Sequence, residues 1–162
     1  MKDLLSAIRK NLVDHNYYSA LFLTLTLPSI CGALESSNGE DDNQKYKQWY
    51  SQNIMGLNLT AEDCYYLRCS LLHQGTTTHQ FSGFSRVVFT FPVNSGNTFH
   101  DNIFNKALNL DVALFCEQVT GAVESWLTRV QGTANYEKNS KNLMCLYPNG
   151  LPPFIVGHPV IS

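Results

Sequence analysis

An uncharged run near the N-terminus constrains the fold more than any other feature of this sequence. It extends from Asn16 to Leu34 and, as one helix, is long enough to cross a bilayer. The run contains serine, threonine, glycine and Pro28, and no basic flank marks its ends. This polar content favours a buried helix in a soluble bundle over a membrane span. We therefore expect a central helix, kinked at Pro28, and no association with a membrane.

The composition bounds the class of protein. The 162 residues suit one domain, 1–162, and only 15% of them are charged. Such a low charge content is expected when part of the surface is covered by a partner subunit. The net charge of -2 gives no global attraction to nucleic acid, so an RNA contact would depend on a local basic spot.

The cysteines and the N-terminus indicate the compartment. Five cysteines are present, and none forms a CxxC pair, which argues against a disulfide framework and against a zinc site. The first residues, MKDLLSAIRKNLVDHN, have charges throughout and lack the apolar core of a signal peptide. We therefore predict a cytoplasmic protein that uses no metal and no cofactor.

Apolar spacing predicts a mainly α fold. Helix signals are clearest at Thr60, where a capping box begins, and at Gly75, which provides a stop. Trp49 and Trp126 lie on apolar stripes and are expected in the core. The predicted helices cover residues 3–14, 17–35, 43–54, 60–73 and 110–130.

Three segments interrupt the predicted helices. Residues 36–44 are polar and are expected to be disordered. The segments FSRVVFTFPV and FNKALNL are predicted to pair as a small antiparallel β-hairpin at about 84–109. The last segment, about 133–162, contains several prolines and glycines and is predicted to be an extended tail along the surface.

An arginine on an apolar helix face is the strongest functional signal. On the helix 60–73, Arg68 falls within the stripe formed by Cys64, Leu67 and Leu71. A buried and unpaired arginine is costly, so it needs a carboxylate, a set of carbonyls, or an interface that supplies an anion. His73 lies about 140° around the helix and about 7.5 Å along it from Arg68. Convergence of the two side chains would need a frayed helix end or a second subunit.

The segment Arg68-Cys69-Ser70-Leu71-Leu72-His73 resembles the R-x4-6-H signature of the HEPN superfamily. The surrounding LRCSLLHQG is similar to the form that the motif takes in bacterial HEPN-like proteins. This resemblance implies a bundle of four or five helices and a homodimer whose two motifs face a shared cleft. It also implies metal-independent cleavage of RNA, in defence or toxin–antitoxin systems, with a nucleotidyltransferase-type antitoxin as a partner.

The resemblance assigns roles to the motif residues. Arg68 would hold the scissile phosphate, and His73 would exchange protons with the ribose 2′-OH or the leaving oxygen. Cys69 and Ser70 would contribute to binding. Active members usually carry Asn, Asp or His directly after the arginine, whereas this chain has Cys69, a weak hydrogen-bonding group.

Three alternatives to catalysis stay open. Arg68 could pair with a buried carboxylate or with helix carbonyls, while His73 caps the helix end. The protein could be a non-catalytic dimeric interaction module that keeps the fold but not the reaction. The same cleft could also bind a small molecule or a nucleotide.

Overall fold

The computed structural model describes residues 1–93 and 98–162, and its described part is mainly α-helical. The prediction of a mainly α fold is therefore confirmed, and the first five helices begin and end within two residues of the predicted bounds. The six helices are α1 (Lys2–Val13), α2 (Tyr17–Glu35), α3 (Asn43–Asn53), α4 (Ala61–Gln74), α5 (Val112–Val130) and α6 (Ala134–Asn139).

Helix α2 is the centre of the bundle, because each of the other five helices packs against it. It is long and apolar enough to cross a bilayer, but half of its most apolar stretch is buried within the protein. Burial of such a helix by its neighbours satisfies the same hydrophobic pattern that lipid would satisfy. Its buried residues are Ala20, Leu21, Thr24, Leu25, Leu27, Pro28, Cys31, Gly32 and Leu34.

Side-chain caps determine where three helices begin. Asp42 accepts hydrogen bonds from two backbone N–H groups at the start of α3, and Asp111 does the same for α5. Thr60 accepts one from the Asp63 N–H, which confirms the predicted start of α4. At the other end, Gly75 adopts a left-handed conformation with φ of 70°, which confirms the predicted stop.

Asp63 joins the start of α4 to a distant loop. Its carboxylate accepts hydrogen bonds from the Thr60 hydroxyl at 2.6 Å, the Ser82 hydroxyl at 3.0 Å and the Gly83 N–H at 2.6 Å. The side chain is buried, so loss of the carboxylate would leave these donors without a partner. Asp63 therefore fixes the path of the chain between α4 and the first strand.

Replacement of Asp63 with alanine is expected to lower the free energy of unfolding by about 2–4 kcal/mol. The cost arises because the Thr60 hydroxyl, the Ser82 hydroxyl and the Gly83 N–H lose their partly buried acceptor. Urea unfolding monitored by circular dichroism measures the change. Glu62→Ala is the matched control, because Glu62 is an exposed first-turn acid that forms a surface ion pair with Lys47 at 2.7 Å. A similar stability of the two variants would contradict the conclusion that Asp63 holds the loop at Ser82 and Gly83.

The predicted antiparallel hairpin is wrong in its pairing. The described residues between α4 and α5 form three strands, β1 (Arg86–Thr90), β2 (Asn102–Phe104) and β3 (Ala107–Asp111), in the order β1-β3-β2. Strand β1 pairs with β3 in parallel, and the antiparallel hairpin joins β2 to β3. The insertion is therefore a mixed three-stranded sheet that extends to residue 111.

A tight turn within FNKALNL explains this difference. Asn105 and Lys106 both have positive φ, 49° and 62°, which is the backbone of a two-residue hairpin turn. The segment therefore folds back on itself and supplies two strands instead of one. Strand β2 runs opposite to β1, and the turn at Asn105 and Lys106 reverses the chain again, so β3 runs in the same direction as β1. Residues 94–97, in the predicted loop between the strands, lie outside the described residues.

The predicted extended tail begins later than residue 133. Residues 134–139 form α6, because the Asn139 amide donates hydrogen bonds to the carbonyls of Ala33, Leu34 and Ser36 at the end of α2. A single 3₁₀ turn follows at Ser140–Asn142. The remaining chain forms two small two-stranded sheets from β4 (Leu146–Tyr147), β5 (Gly150–Leu151), β6 (Ile155–Val156) and β7 (Val160–Ile161).

The segment predicted to be disordered, 36–44, is instead held by hydrogen bonds. The Ser36 hydroxyl donates to the Ala33 carbonyl at 2.8 Å and accepts from the Gly39 N–H at 3.0 Å. The Lys45 ammonium donates to the Glu40 carbonyl at 2.6 Å. Because polar side chains satisfy the backbone here, a low hydrophobic content did not prevent order.

Candidate functional site

Arg68 lies on α4 where that helix packs against α2 and α3. Its neighbours on the same face, Cys64, Leu67 and Leu71, are buried in the core, and Arg68 itself is half-buried. Helix packing therefore covers part of the side chain, including the Nε atom of the guanidinium. This confirms the position that helical periodicity predicted.

The guanidinium of Arg68 has few partners within its own chain. Its nearest polar contact joins an Nη1 donor to the Cys69 Sγ at 3.9 Å, and its Nε is buried without a hydrogen-bond partner in the described structure. No carboxylate of residues 1–93 or 98–162 lies within 4.0 Å of the guanidinium. Arg68 is therefore not sealed in an ion pair with a described carboxylate.

Asp41 is a carboxylate in the electrostatic range of Arg68, beyond ion-pair distance. Desolvation raises the pKa of the Asp41 carboxyl, and the nearby Ser29 hydroxyl and the charge of Arg68 oppose this rise. The Ser29 hydroxyl has no hydrogen-bond partner that meets ordinary geometry among the described residues. The surroundings of Arg68 thus contain a hydroxyl and an acid that do not neutralise it by direct contact.

Tyr65 lies beside Arg68, and a second cation, Lys47, lies over the Tyr65 ring. Desolvation, followed by the proximity of the Cys69 thiol, raises the pKa of Tyr65, and the charge of Arg68 opposes the rise. The Lys47 ammonium lies 5.0 Å from the centre of the Tyr65 ring and 5.4 Å from that of Tyr66. These distances are typical of cation–π contacts.

The aromatic surface continues from α4 into the loop before β1. The ring of Tyr66 stacks on His79 with centroids 4.4 Å apart and planes inclined by 6°. Phe81 lies 5.8 Å from Tyr66 and is exposed. Together, Tyr65, Tyr66, His79 and Phe81 form what we call the aromatic strip, which begins next to Arg68.

The structure does not bring the side chains of Arg68 and His73 together. His73 is exposed in the last turn of α4, and no hydrogen bond links it to Arg68 in the described residues. Cys69 is half-buried and contacts Arg68, whereas Ser70 is buried with its hydroxyl unpartnered and lies about 200° around the helix from Arg68. A single copy therefore presents the arginine and the histidine at separate points.

Sequence reasoning missed Ser29 and Asp41 near Arg68, and Lys47 near Tyr65. They come from α2, from the loop before α3, and from α3, so only the packing of the three helices brings them together. The adjacent acids Asp41 and Asp42 were a usable signal for a site residue. Asp42 caps α3, which leaves Asp41 without a structural role.

The described surface has two polar clefts away from Arg68. They have volumes of about 510 and 640 Å³ and lie on either side of Glu35, between α2, α3 and α5. Neither is lined by Arg68 or His73. Among the residues that the structure describes, no three His, Cys, Asp or Glu side chains are grouped so that they could hold a metal ion.

Arg68 has no ion pair among the described residues, which leaves its guanidinium able to bind an external anion. Comparison with known proteins assigns no family here. No family model matches the chain, and no curated protein or solved structure is significantly similar to it. The functional assignment therefore depends on the chemistry of the residues themselves.

Proposed function

We propose that this chain is a HEPN-like homodimer that binds single-stranded RNA at Arg68 and cleaves it without a metal ion. In this proposal the protein is cytoplasmic and belongs to a defence or toxin–antitoxin system, with a nucleotidyltransferase-type antitoxin as a further partner. The family resemblance of the segment Arg68 to His73 supplies the reaction, and the geometry of α4 supplies the binding site.

One observation carries the proposal, the half-buried guanidinium of Arg68. Its Nε has no hydrogen-bond partner in the described structure, and its Nη1 meets only the Cys69 thiol at 3.9 Å. A phosphate offers several acceptor oxygens to such a group and forms charge-assisted, often bidentate hydrogen bonds. An RNA phosphate would therefore satisfy the donors that the chain itself leaves open.

The aromatic strip supports RNA over an isolated anion. Bases of single-stranded nucleic acid stack on aromatic side chains, while nearby cations hold the backbone. The strip begins at Tyr65, beside Arg68, and Lys47 lies over the same ring at 5.0 Å. A phosphate held by Arg68 would thus leave its neighbouring bases next to the strip. Arg68 is the open cation of this surface, because Lys47 already pairs with Glu62 at 2.7 Å.

Cleavage requires His73 to reach the same phosphate. Within one straight helix the two side chains diverge by about 140°, so the proposal assigns the histidine to the second copy. A two-fold axis beside α4 would place two arginines and two histidines around one cleft, and each copy would complete the site of the other. Arg68 would stabilise charge on the phosphate oxygens while His73 transfers the proton.

A non-catalytic dimeric module is the second candidate, and Cys69 favours it. The thiol lies beside the guanidinium, where active members usually carry a carboxamide, carboxylate or imidazole. A thiol is a weak hydrogen-bond donor and acceptor and would position a substrate poorly. Under this alternative, Arg68 binds RNA or a partner, and His73 has no chemical role.

Labelled single-stranded RNA tests both candidates in the presence of EDTA. We expect the wild-type protein to bind and cleave the RNA, His73→Ala to bind without cleaving, and Arg68→Gln to lose at least about tenfold in affinity. Arg9→Gln is the matched control, because it removes one positive charge from α1, where Arg9 pairs with Glu124 at 2.7 Å. Binding without cleavage by wild type supports the module, and equal binding by Arg68→Gln and Arg9→Gln excludes both candidates.

The proposal also predicts the oligomeric state. We expect a homodimer at micromolar concentration that buries at least about 1,000 Å² in total, with Arg68 and His73 within or beside the interface. Light scattering measures the mass, and solvent protection of α4 by hydrogen exchange locates the interface. A monomeric mass at this concentration would contradict the shared cleft.

A further inference from the structure

An apolar groove opens between the first turns of α2 and the edge of the sheet. It has a volume of about 280 Å³, and β1 forms one wall. The exposed fractions of its aromatic rim are 73% for Tyr18, 37% for Phe22 and 51% for Phe91. Strand β1 pairs with β3 on one side and has no second strand beside it in the described structure. The Val87 N–H of β1 already donates to the Thr77 carbonyl at 3.1 Å, so the groove offers uncovered aromatic rings more than a free sheet edge.

The C-terminal tail, defined here as residues 144–162, is an uncharged segment that exposes apolar side chains. It contains no Asp, Glu, Lys or Arg, and its apolar side chains point into solvent. Phe154 is 80% exposed and Val156 is 70% exposed, and Met144, Leu146 and Ile161 are exposed as well. Within the described chain, no residue after Tyr136 belongs to the hydrophobic core or packs against it.

The tail is nevertheless folded. Strand β5 pairs with β6, and β4 pairs with β7. The backbones of Cys145 and Ser162 exchange two hydrogen bonds, at 2.8 and 3.1 Å, which close the base of the tail. An uncharged, folded element with its apolar residues outward is unfavourable in water and is typical of a surface that a partner covers.

The groove and the segment that leads into the tail lie at opposite ends of α2. Asn139, five residues before the tail begins, donates to the Leu34 carbonyl, whereas Tyr18 marks the groove in the first turn of the helix. At 1.5 Å per residue these points are about 24 Å apart along the helix axis. A two-fold axis that sets the α2 helices of two copies antiparallel would bring the tail of each copy to the groove of the other.

We propose that the C-terminal tail of a second copy of this chain occupies the groove, so that a homodimer exchanges its tails reciprocally. Phe154 inserts between Tyr18 and Phe91, and the β5–β6 hairpin covers the aromatic rim of the groove. A fully covered aromatic side chain buries about 150–250 Å², so these three exposed rings correspond to about 300–500 Å² per contact. Two symmetric contacts, with the aliphatic side chains of the tail added, reach the roughly 1,000 Å² expected of a specific interface.

This inference and the proposed function both require a homodimer, but tail exchange does not depend on Arg68. Tail exchange would hold the two copies together, while Arg68 and His73 would act on RNA. The two ideas can therefore fail separately.

Sedimentation equilibrium of point variants of the full chain tests the exchange. Phe154→Ser and Tyr18→Ser are each expected to weaken dimerisation by at least about tenfold, since buried aromatic residues dominate interface energies. Phe104→Ser is the matched control, because Phe104 is 72% exposed on β2, away from the groove. It should dimerise as the wild type does. Circular dichroism and urea unfolding confirm that each variant is folded.

A mixing experiment distinguishes exchange from general adhesion. A heterodimer of Phe154→Ser with Tyr18→Ser keeps one intact tail in one intact groove, so the mixture should associate more tightly than either variant alone. Failure of the mixture to recover affinity, an equal effect of Phe104→Ser, or a monomeric wild-type protein would each overturn the inference.

Unchanged dimers of the tail variants that still bind RNA through Arg68 would refute tail exchange alone. Loss of dimers with RNA binding independent of Arg68 would support tail exchange and refute the proposed function.

Discussion

Replacement of Trp126 with alanine is expected to lower the free energy of unfolding by about 3–5 kcal/mol. The Trp126 ring is fully buried and packs edge-to-face against Trp49 and Tyr136, with both pairs of ring centroids 6.1 Å apart. Its indole N–H donates to the Glu35 carboxylate at 2.8 Å. Alanine would leave a cavity between α3, α5 and α6 and would also remove the donor to Glu35.

Two further variants separate these contributions. Trp126→Phe keeps most of the ring but loses the N–H donor, and we expect a cost of about 1–2 kcal/mol. Phe104→Ala removes a ring from the exposed strand β2, so its stability should be close to that of the wild type. Urea unfolding curves give all three values. A Trp126→Ala variant as stable as Phe104→Ala would show that the α5 stripe is not the core of the bundle.

Local signals in the sequence were sufficient to predict the helices. Thr60 and Gly75 delimit α4 by capping, which depends only on neighbouring residues. Helix α5 was predicted from its apolar stripe, which includes Phe115 and Trp126, and both are buried. These features work because the hydrophobic period and the caps act over one or two turns.

The sheet could not be predicted in the same way. Parallel pairing of β1 with β3 is a non-local choice, and strand propensity says nothing about direction. The decisive turn contains Lys106 in a left-handed conformation, which its side chain does not signal. Helix α6 was missed for a related reason, because Asn139 stabilises it through carbonyls of α2 more than one hundred residues earlier in the chain.

In the candidate site, too, only the features that depend on local sequence could be predicted. Periodicity placed Arg68 on the buried face of α4, and the structure confirms that placement. The partners that decide what Arg68 can do, Asp41 and Ser29, belong to other elements and become neighbours only when α2 and α4 pack. The aromatic strip likewise depends on how the loop after α4 folds back, which Asp63 controls through Ser82 and Gly83.

The protein is expected to lose stability steeply as the pH rises above about 9, because several acids are buried in their neutral form. Burial raises the pKa of the Cys64 thiol from its ordinary 9.0 to about 12 and that of Cys116 to about 11. Burial also raises the pKa of Tyr46 well above its usual range. In the unfolded chain these groups ionise at their ordinary values, so the unfolded state binds fewer protons than the folded state above pH 9.

Stability from these groups is therefore fully present below their unfolded pKa and is lost as the pH rises towards the folded pKa. At about 1.4 kcal/mol per pKa unit, the two thiols together would remove on the order of 5 kcal/mol between about pH 9 and pH 11, and Tyr46 would add to this above about pH 10. Urea unfolding across this range measures the slope. Cys116→Ala should flatten it, whereas Cys145→Ala should not, because Cys145 is exposed. A slope that does not differ between these two variants would contradict the burial of Cys116 in the core.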